Sequence, residues 1–296
     1  MKLLFLLVCS LSAEVFAASC CVSNTSISNL MILPSAWQET FTISQARVIG
    51  DANSDGQSTF RKAFNKEITN LARLDLAYSW SLRYQTGISV KYQSRLREFN
   101  GSSSSNSGWN DLGLSHAWRL GALERVWIFQ TLNIPTAPSV YDSKSNLTVD
   151  ARGTGTYISS MGIFGIYNLK EWDFLYSSEI HHSFKRNFRR ESEDTSVGAF
   201  WGGSITVGAG FIPFRSKARY GMALSPRLEG EKEVIVNGMA SSSRSSLVWD
   251  TSVNFTYTIN AEHALGLNYT DQTIWGPVRN TLLNRSLSLQ YQTRWL

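Results

Sequence analysis

No stretch of this chain holds the ~18 uninterrupted apolar residues that a membrane-crossing helix requires. Charged residues make up only 17%, below the roughly 25% of soluble domains. There are three cysteines, and no CxxC pair or histidine at ligand spacing accompanies Cys20 and Cys21, so no metal site is expected. The four histidines, His116, His181, His182 and His263, are too scattered to suggest one. No serine sits in a nucleophile motif, since Gly202-Gly203-Ser204 is not GxSxG. The net charge is +5 and the pI about 9.1, but no compact basic patch exists beyond Lys185 to Arg190. Nucleic acid is therefore not an expected partner, and no cofactor is implied.

What is present is aromatic and alternating. Aromatics reach 12%, Ser and Thr are abundant and prolines number only 6. From Trp172 to Asn187 alternate residues fall on two faces: Trp172, Phe174, Tyr176, Ile180 and Phe184 on one, Asp173, Ser177, Glu179, His181, Ser183 and Lys185 on the other. A period of two is a strand, and this one is longer than the usual five or six residues. A strand that spans a bilayer needs about 9–11 residues, with aromatics near both interfaces. Lipid cannot satisfy open strand edges, so one such strand implies a closed barrel of them.

Met1 to Ala17 reads as a secretory signal peptide: Lys2 supplies the positive start, Leu3 to Leu7 the apolar core and Val15-Phe16-Ala17 the cleavage site. Residues 18–38 are expected to be a periplasmic tail or plug. Within it, acylation of Cys20, an oxidised Cys20–Cys21 pair and two plain small residues all stand as readings. Residues 39–296 repeat the alternation, for example over Leu247 to Tyr257 and Leu287 to Trp295. Gly101 to Gly108, Pro135 to Arg152, Arg189 to Asp194 and Ser225 to Ser246 read as loops. Connections alternate between short turns near residues 80, 122, 170, 213 and 261 and long loops near 55, 104, 144, 191, 236 and 277. The prediction is all-β: an antiparallel transmembrane β-barrel of about twelve strands, with short periplasmic turns and long outer loops. A soluble β-sandwich is the alternative, with shorter and less aromatic strands.

The stretch Gly108-Trp-Asn-Asp-Leu-Gly-Leu-Ser-His-Ala-Trp-Arg-Leu120 resembles the glycine–aspartate strand of outer-membrane barrels named after the meta-pathway of phenol degradation, distant relatives of the long-chain fatty-acid transporters. Leu132-Asn-Ile-Pro-Thr136, Thr154-Gly155 and the run from Leu224-Ser-Pro226 through Gly238 to Asn268 are similar too. The resemblance covers roughly residues 70–296. It implies a transporter of hydrophobic or aromatic compounds in a Gram-negative outer membrane, and it carries no catalytic residues to transfer. The C-terminus departs from the usual aromatic ending, with Trp295 penultimate and Leu296 last.

The inward faces nominate lumen-lining residues: Arg83, Lys91, Arg95, Asp111, Arg119, Asp173, Glu179, His181, Lys217, Arg219, Asp250 and Arg294. Basic residues outnumber acidic ones. Arg83, Lys91 and Arg95 are expected to form a ladder on one wall, and Lys217 with Arg219 a second. An open lumen would then prefer anions, with the preference fading in high salt. Twelve strands lie between a filled barrel and an open pore, and a filled or constricted lumen is the expectation. The leading function is a non-enzymatic transporter or channel for small solutes, in contact with outer-membrane lipid and assembled by the barrel-assembly machinery. A structural or adhesive barrel with partner-binding loops is the alternative. A membrane-embedded hydrolase would need lipid-facing His182, or Glu179 with His181, as its base.

Overall fold

A computed structural model describes residues 35–61, 65–120, 126–145, 147–190 and 193–295. The signal segment, both remaining cysteines and the turn expected near residue 122 lie outside the described residues. From the N-terminal side, β1 (Ala36–Ala52) leads through the short β2 (Ser58–Phe60) to β3 (Lys66–Ser79) and β4 (Tyr84–Phe99). β5 (Ser102–Trp109), β6 (Leu112–Arg119), β7 (Val126–Ile134), β8 (Ile158–Leu169) and β9 (Trp172–Ser183) follow. A hairpin of β10 (Arg186–Arg190) and β11 (Glu193–Val197) precedes β12 (Phe200–Phe211) and β13 (Ala218–Glu229). A second hairpin, β14 (Lys232–Val236) and β15 (Met239–Ser243), comes before β16 (Ser246–Thr258), β17 (His263–Asp271) and β18 (Thr281–Trp295).

Twelve of these strands pair antiparallel with their neighbours, in the order β1, β3, β4, β6, β7, β8, β9, β12, β13, β16, β17, β18. The ring closes where β18 returns to β1, from Trp37 opposite Trp295 to Ala52 opposite Thr281, with one register shift between Val48 and Gly50. Closure leaves no edge within the wall, which is the condition for surviving in lipid. The strand begins at Ala36, so residues 36–38, expected in the tail, belong to the wall. Their alternation is already in step, with Trp37 out and Gln38 in.

Each strand turns its apolar parity outward. On β9, Trp172, Phe174, Tyr176 and Ile180 are exposed while Asp173, Leu175, Ser177 and Ser183 are buried. Rings meet at the end of the barrel that carries the short turns: Trp37 lies tilted against Tyr78 (4.7 Å between centroids), Tyr78 edge-on to Trp80 (4.7 Å) and Trp172 tilted against Phe211 (5.0 Å). That is the aromatic girdle of a membrane barrel. No helix among the described residues is long and apolar enough to cross a membrane.

Three stretches expected as loops are strands instead. Ser102–Trp109 extends β4 beyond the wall as β5, from Phe99 opposite Ser102 to Tyr92 opposite Trp109. Within Arg189 to Asp194, Arg189 pairs with Asp194 and Arg190 with Glu193, as the ends of β10 and β11. Ser225 to Ser246 contains the end of β13 and then β14–β15, which pairs with β11 to make a four-stranded sheet above the barrel. Polar, serine-rich composition signals solvent rather than lack of ladder bonds, so it hid strands that stand in water. Pro135 to Arg152 contains no strand among its described residues.

Candidate functional site: a lumen filled at one end and open at the other

In the half nearest the short turns the lumen is full. Inward-facing Ala117, Trp127, Phe129, Phe164 and Leu175 form one buried apolar cluster, with Ile166 packed against it. Phe129 has no exposed surface. Beside this cluster, reaching across β12 from β13 to β9, Arg219, 1% exposed, donates from Nε to Asp173 Oδ2 (2.6 Å) and from Nη1 to Asn254 Oδ1 (2.8 Å). Its Nη2 meets the second oxygen of Asp173, giving a bidentate pair. Gly210 makes room, since a Cβ there would stand inside the guanidinium. At the β1–β18 seam Gln38 Oε1 accepts from Gln292 Nε2 (2.6 Å) and Arg294 Nε (2.7 Å). The Arg119 guanidinium lies 5.9 Å from the centre of the Trp127 ring.

The half nearest the long loops encloses a cavity of about 1240 Å³. Arg73, Lys91, Arg227, Lys232 and Arg244 line it, against Glu179 and Glu229, with Ser89, Ser160 and Ser204 between them. His181 Nε2 and Glu229 Oε2 are 2.9 Å apart, bridging over Gly202, where a side chain would collide with the imidazole. Arg73 pairs with Asp75 at 2.8 Å and Arg227 with Asp250 at 3.5 Å. Lys91 makes no ion pair among the described residues. Lys232 Nζ sits 5.1 Å from the Tyr141 ring and 5.4 Å from the Phe200 ring, within cation–π range.

The connection between β7 and β8, residues 135–157, folds down onto inward-facing side chains. Asp111 is its anchor: it accepts from Thr154 N (2.7 Å), Thr154 Oγ1 (2.8 Å) and Ala137 N (3.1 Å). Arg97 donates to Leu147 O (2.6 Å) and Arg95 to Ala151 O (3.0 Å), while both face Glu67. Val149 and Ala151 are buried as a result. Within the loop, burial acts to raise the Asp150 pKa, but the Ser143 hydroxyl and the backbone N–H groups of Lys144, Ser145 and Asp150 outweigh it and hold the carboxyl below its ordinary value. A depressed folded-state pKa contributes stability that is complete above the unfolded value of about 3.9 and lost as pH falls through the folded one. Hydrogen exchange across 143–151, corrected for intrinsic rates, is expected to quicken on acidification below that range. Asp150→Asn should show the quickened exchange at neutral pH; unchanged protection there would count against this carboxylate as the loop's tie.

Ten of the twelve nominated residues face inward, but they divide into separate assemblies. Arg119, Asp173, Arg219 and Arg294 belong to the filled half; Arg95 and Asp111 hold the inserted loop; Lys91, Glu179 and His181 line the cavity, where Asp250 reaches it through Arg227. Arg83 and Lys217 are corrections. Arg83 lies exposed in the turn after β3, and Lys217 precedes β13, with Nζ on Ile259 O (2.8 Å). The period of two was extended past the strand ends, where the chain turns and parity no longer fixes direction. Both expected ladders are therefore lost, and Arg95 spends its charge on Glu67 and a carbonyl. Reasoning from the sequence missed Glu67, Arg73, Arg97, Arg227 and Glu229. The last two share the parity of Arg219, which was the available signal, but they fall in Ser225 to Ser246, read as a loop.

His182 faces outward as expected, packed against Trp201 (4.3 Å between centroids) and Phe184 (4.9 Å). Ser159 stands opposite it on the same lipid-side face. No hydrogen bond joins the two, and His182 Nδ1 has no partner among the described residues. The Ser–base contact and the orienting group of a hydrolytic triad are thus both missing at this position.

The fold defines a class: a twelve-stranded, closed antiparallel barrel of the outer-membrane type. An outer membrane channel from Pseudomonas putida F1 superposes on it with a TM-score of 0.69, at 14% identity, over 90% of this chain and 97% of that one. The β domain of the Bordetella autotransporter BrkA gives 0.52, at 11% identity, over 88% of this chain and all of that one. These likenesses agree with the barrel fold that the resemblance read from Gly108 to Leu120 implies. No family model and no curated protein sequence matches this chain.

Proposed function

We propose that this chain is an outer-membrane transport barrel that admits small solutes from the loop end, favouring those that join an anionic group to a small apolar body. The cavity of about 1240 Å³ carries the reading. It is large enough for a small organic molecule, it lies under the long loops, and its basic side chains exceed its acidic ones. Lys91, without an ion pair, is the cation available to a carboxylate, and Lys232 with Phe200 and Tyr141 offers rings beside a charge. Aromatic or hydrophobic cargo is what the family resemblance implies, and an aromatic carboxylate satisfies both descriptions.

Uptake of labelled benzoate by porin-deficient cells tests this. Cells expressing the barrel are expected to take up benzoate several-fold faster than empty-vector cells, with Lys91→Glu removing most of the gain. A loss of about tenfold would correspond to ~1.4 kcal/mol of interaction. Equal uptake with and without the barrel, or faster uptake by Lys91→Glu, would overturn the proposal.

One observation favours the adhesive alternative. The β10–β11–β14–β15 sheet stands outside the barrel with β15 exposed along its length, an edge that another chain could extend. Ala240→Pro with Ser242→Pro, on the exposed edge strand and outside the cavity lining, should then abolish surface binding without changing benzoate uptake.

A further inference from the structure

Where β18 closes on β1, the outward face breaks the apolar pattern in an ordered way. Three rows run across neighbouring strands. The first, from the turn side, is Leu267, Leu289, Ile43, Ala72 and Tyr92. The second is Tyr269, Leu287, Gln45, Asn70 and Ser94, with Gln45 Nε2 donating to Asn70 Oδ1 at 2.9 Å. The third brings Asp271, Arg285 and Arg47 side by side. A groove of about 440 Å³ is cut into the first two rows, because Ala72 and Ser94 are small between larger neighbours.

The third row is costly on its own. Like charges directly opposite on paired strands repel, and Arg47 and Arg285 are opposite each other at the loop-side edge of the apolar face. Asp271 answers only one of them. Its Oδ2 takes Arg285 Nε at 2.7 Å, and its own position is set by Tyr269 Oη, Thr273 N and Thr273 Oγ1. Arg47 is exposed and has no hydrogen bond or ion pair among the described residues. Arg285 Nη2 also reaches Thr273 Oγ1 at 3.4 Å; its Nη1 and the Arg47 guanidinium fit a phosphate, which accepts two arginines at once through short charge-assisted bonds. The groove that begins one row below would hold an acyl chain.

We infer that the β18–β1–β3 face is a docking site for a phosphorylated, acylated lipid of the outer leaflet, with its phosphate between Arg47 and Arg285 and a chain in the groove over Ala72. The inference needs the barrel to stand in a membrane but does not depend on what the lumen carries. The seam that closes the barrel would thus be covered by a bound lipid.

Native mass spectrometry of the detergent-purified barrel with added bisphosphorylated lipid A tests it. One-to-one binding is expected, about tenfold stronger than for the same lipid stripped of its phosphates, and inorganic phosphate alone should neither bind nor compete. Arg47→Gln with Arg285→Gln, and separately Ala72→Trp, which fills the groove, should each weaken binding about tenfold. Heat-modifiable migration verifies that both variants fold, and benzoate uptake should be unchanged in both. Equal binding of the stripped lipid, competition by inorganic phosphate, or full binding by either folded variant would overturn the inference.

Discussion

Asp173→Ala is expected to destabilise the barrel by about 3–5 kcal/mol, the usual cost of removing one partner from a buried ion pair. Arg219 is enclosed by the wall, 1% exposed, and Asp173 meets it with both carboxylate oxygens. The mutant leaves a guanidinium where water does not reach it, and the penalty is the desolvation of that charge rather than the loss of the pair's attraction. Urea unfolding followed by heat-modifiable migration would measure it. Asp173→Leu combined with Arg219→Met should recover most of the loss, because an apolar pair of similar volume removes the buried charge as well. If the single mutant unfolds at the wild-type urea concentration, the pair is solvated and the filled half of the lumen is looser than this packing implies.

The second large effect concerns flux. Trp127 and Phe129 project from one strand into the filled half, and with Phe164 and Leu175 they occupy the space that solute or ions would cross. Trp127→Ala with Phe129→Ala removes two rings at once. Planar-bilayer recordings are expected to show low conductance for the wild-type barrel and a several-fold rise for the double variant. The remaining polar groups of this half would then hold water in a continuous path. Each truncation also forfeits packing of about 3–5 kcal/mol, so folding must be verified first. A wild-type conductance as large as the variant's would place the barrier elsewhere, with the inserted loop 135–157 as the next candidate. The anion preference expected from inward basic residues attaches to Lys91, Lys232 and the cavity rather than to the two lost ladders.

The alternation from Trp172 to Ser183 carried the architecture, and β16 and β18 repeated it cleanly. Leu175 shows the limit. Its odd position placed it with Asp173 and Ser177, but an apolar residue on a polar face gave no warning that the lumen there is dry. β7 was opaque for the same reason: Trp127 and Phe129 face in while Ile128 faces out, so both parities are apolar and the period vanishes. Asp111 was visible as an inward acid, whereas its bonds to Ala137 and Thr154 join segments 26 and 43 residues away, which no local pattern encodes.

The sequence by itself determined most of the wall strands and their parity, the alternation of short turns with long loops and hence a closed barrel. Each of these follows from a repeat of two residues and from the requirement that lipid-facing backbone be paired. Only the tertiary structure decided that the lumen is sealed at one end and hollow at the other, which charges meet, and that Arg47 stands beside Arg285. Those facts depend on the stagger between strands far apart in the chain. A shift of two residues in one register keeps every face correct and changes every partner.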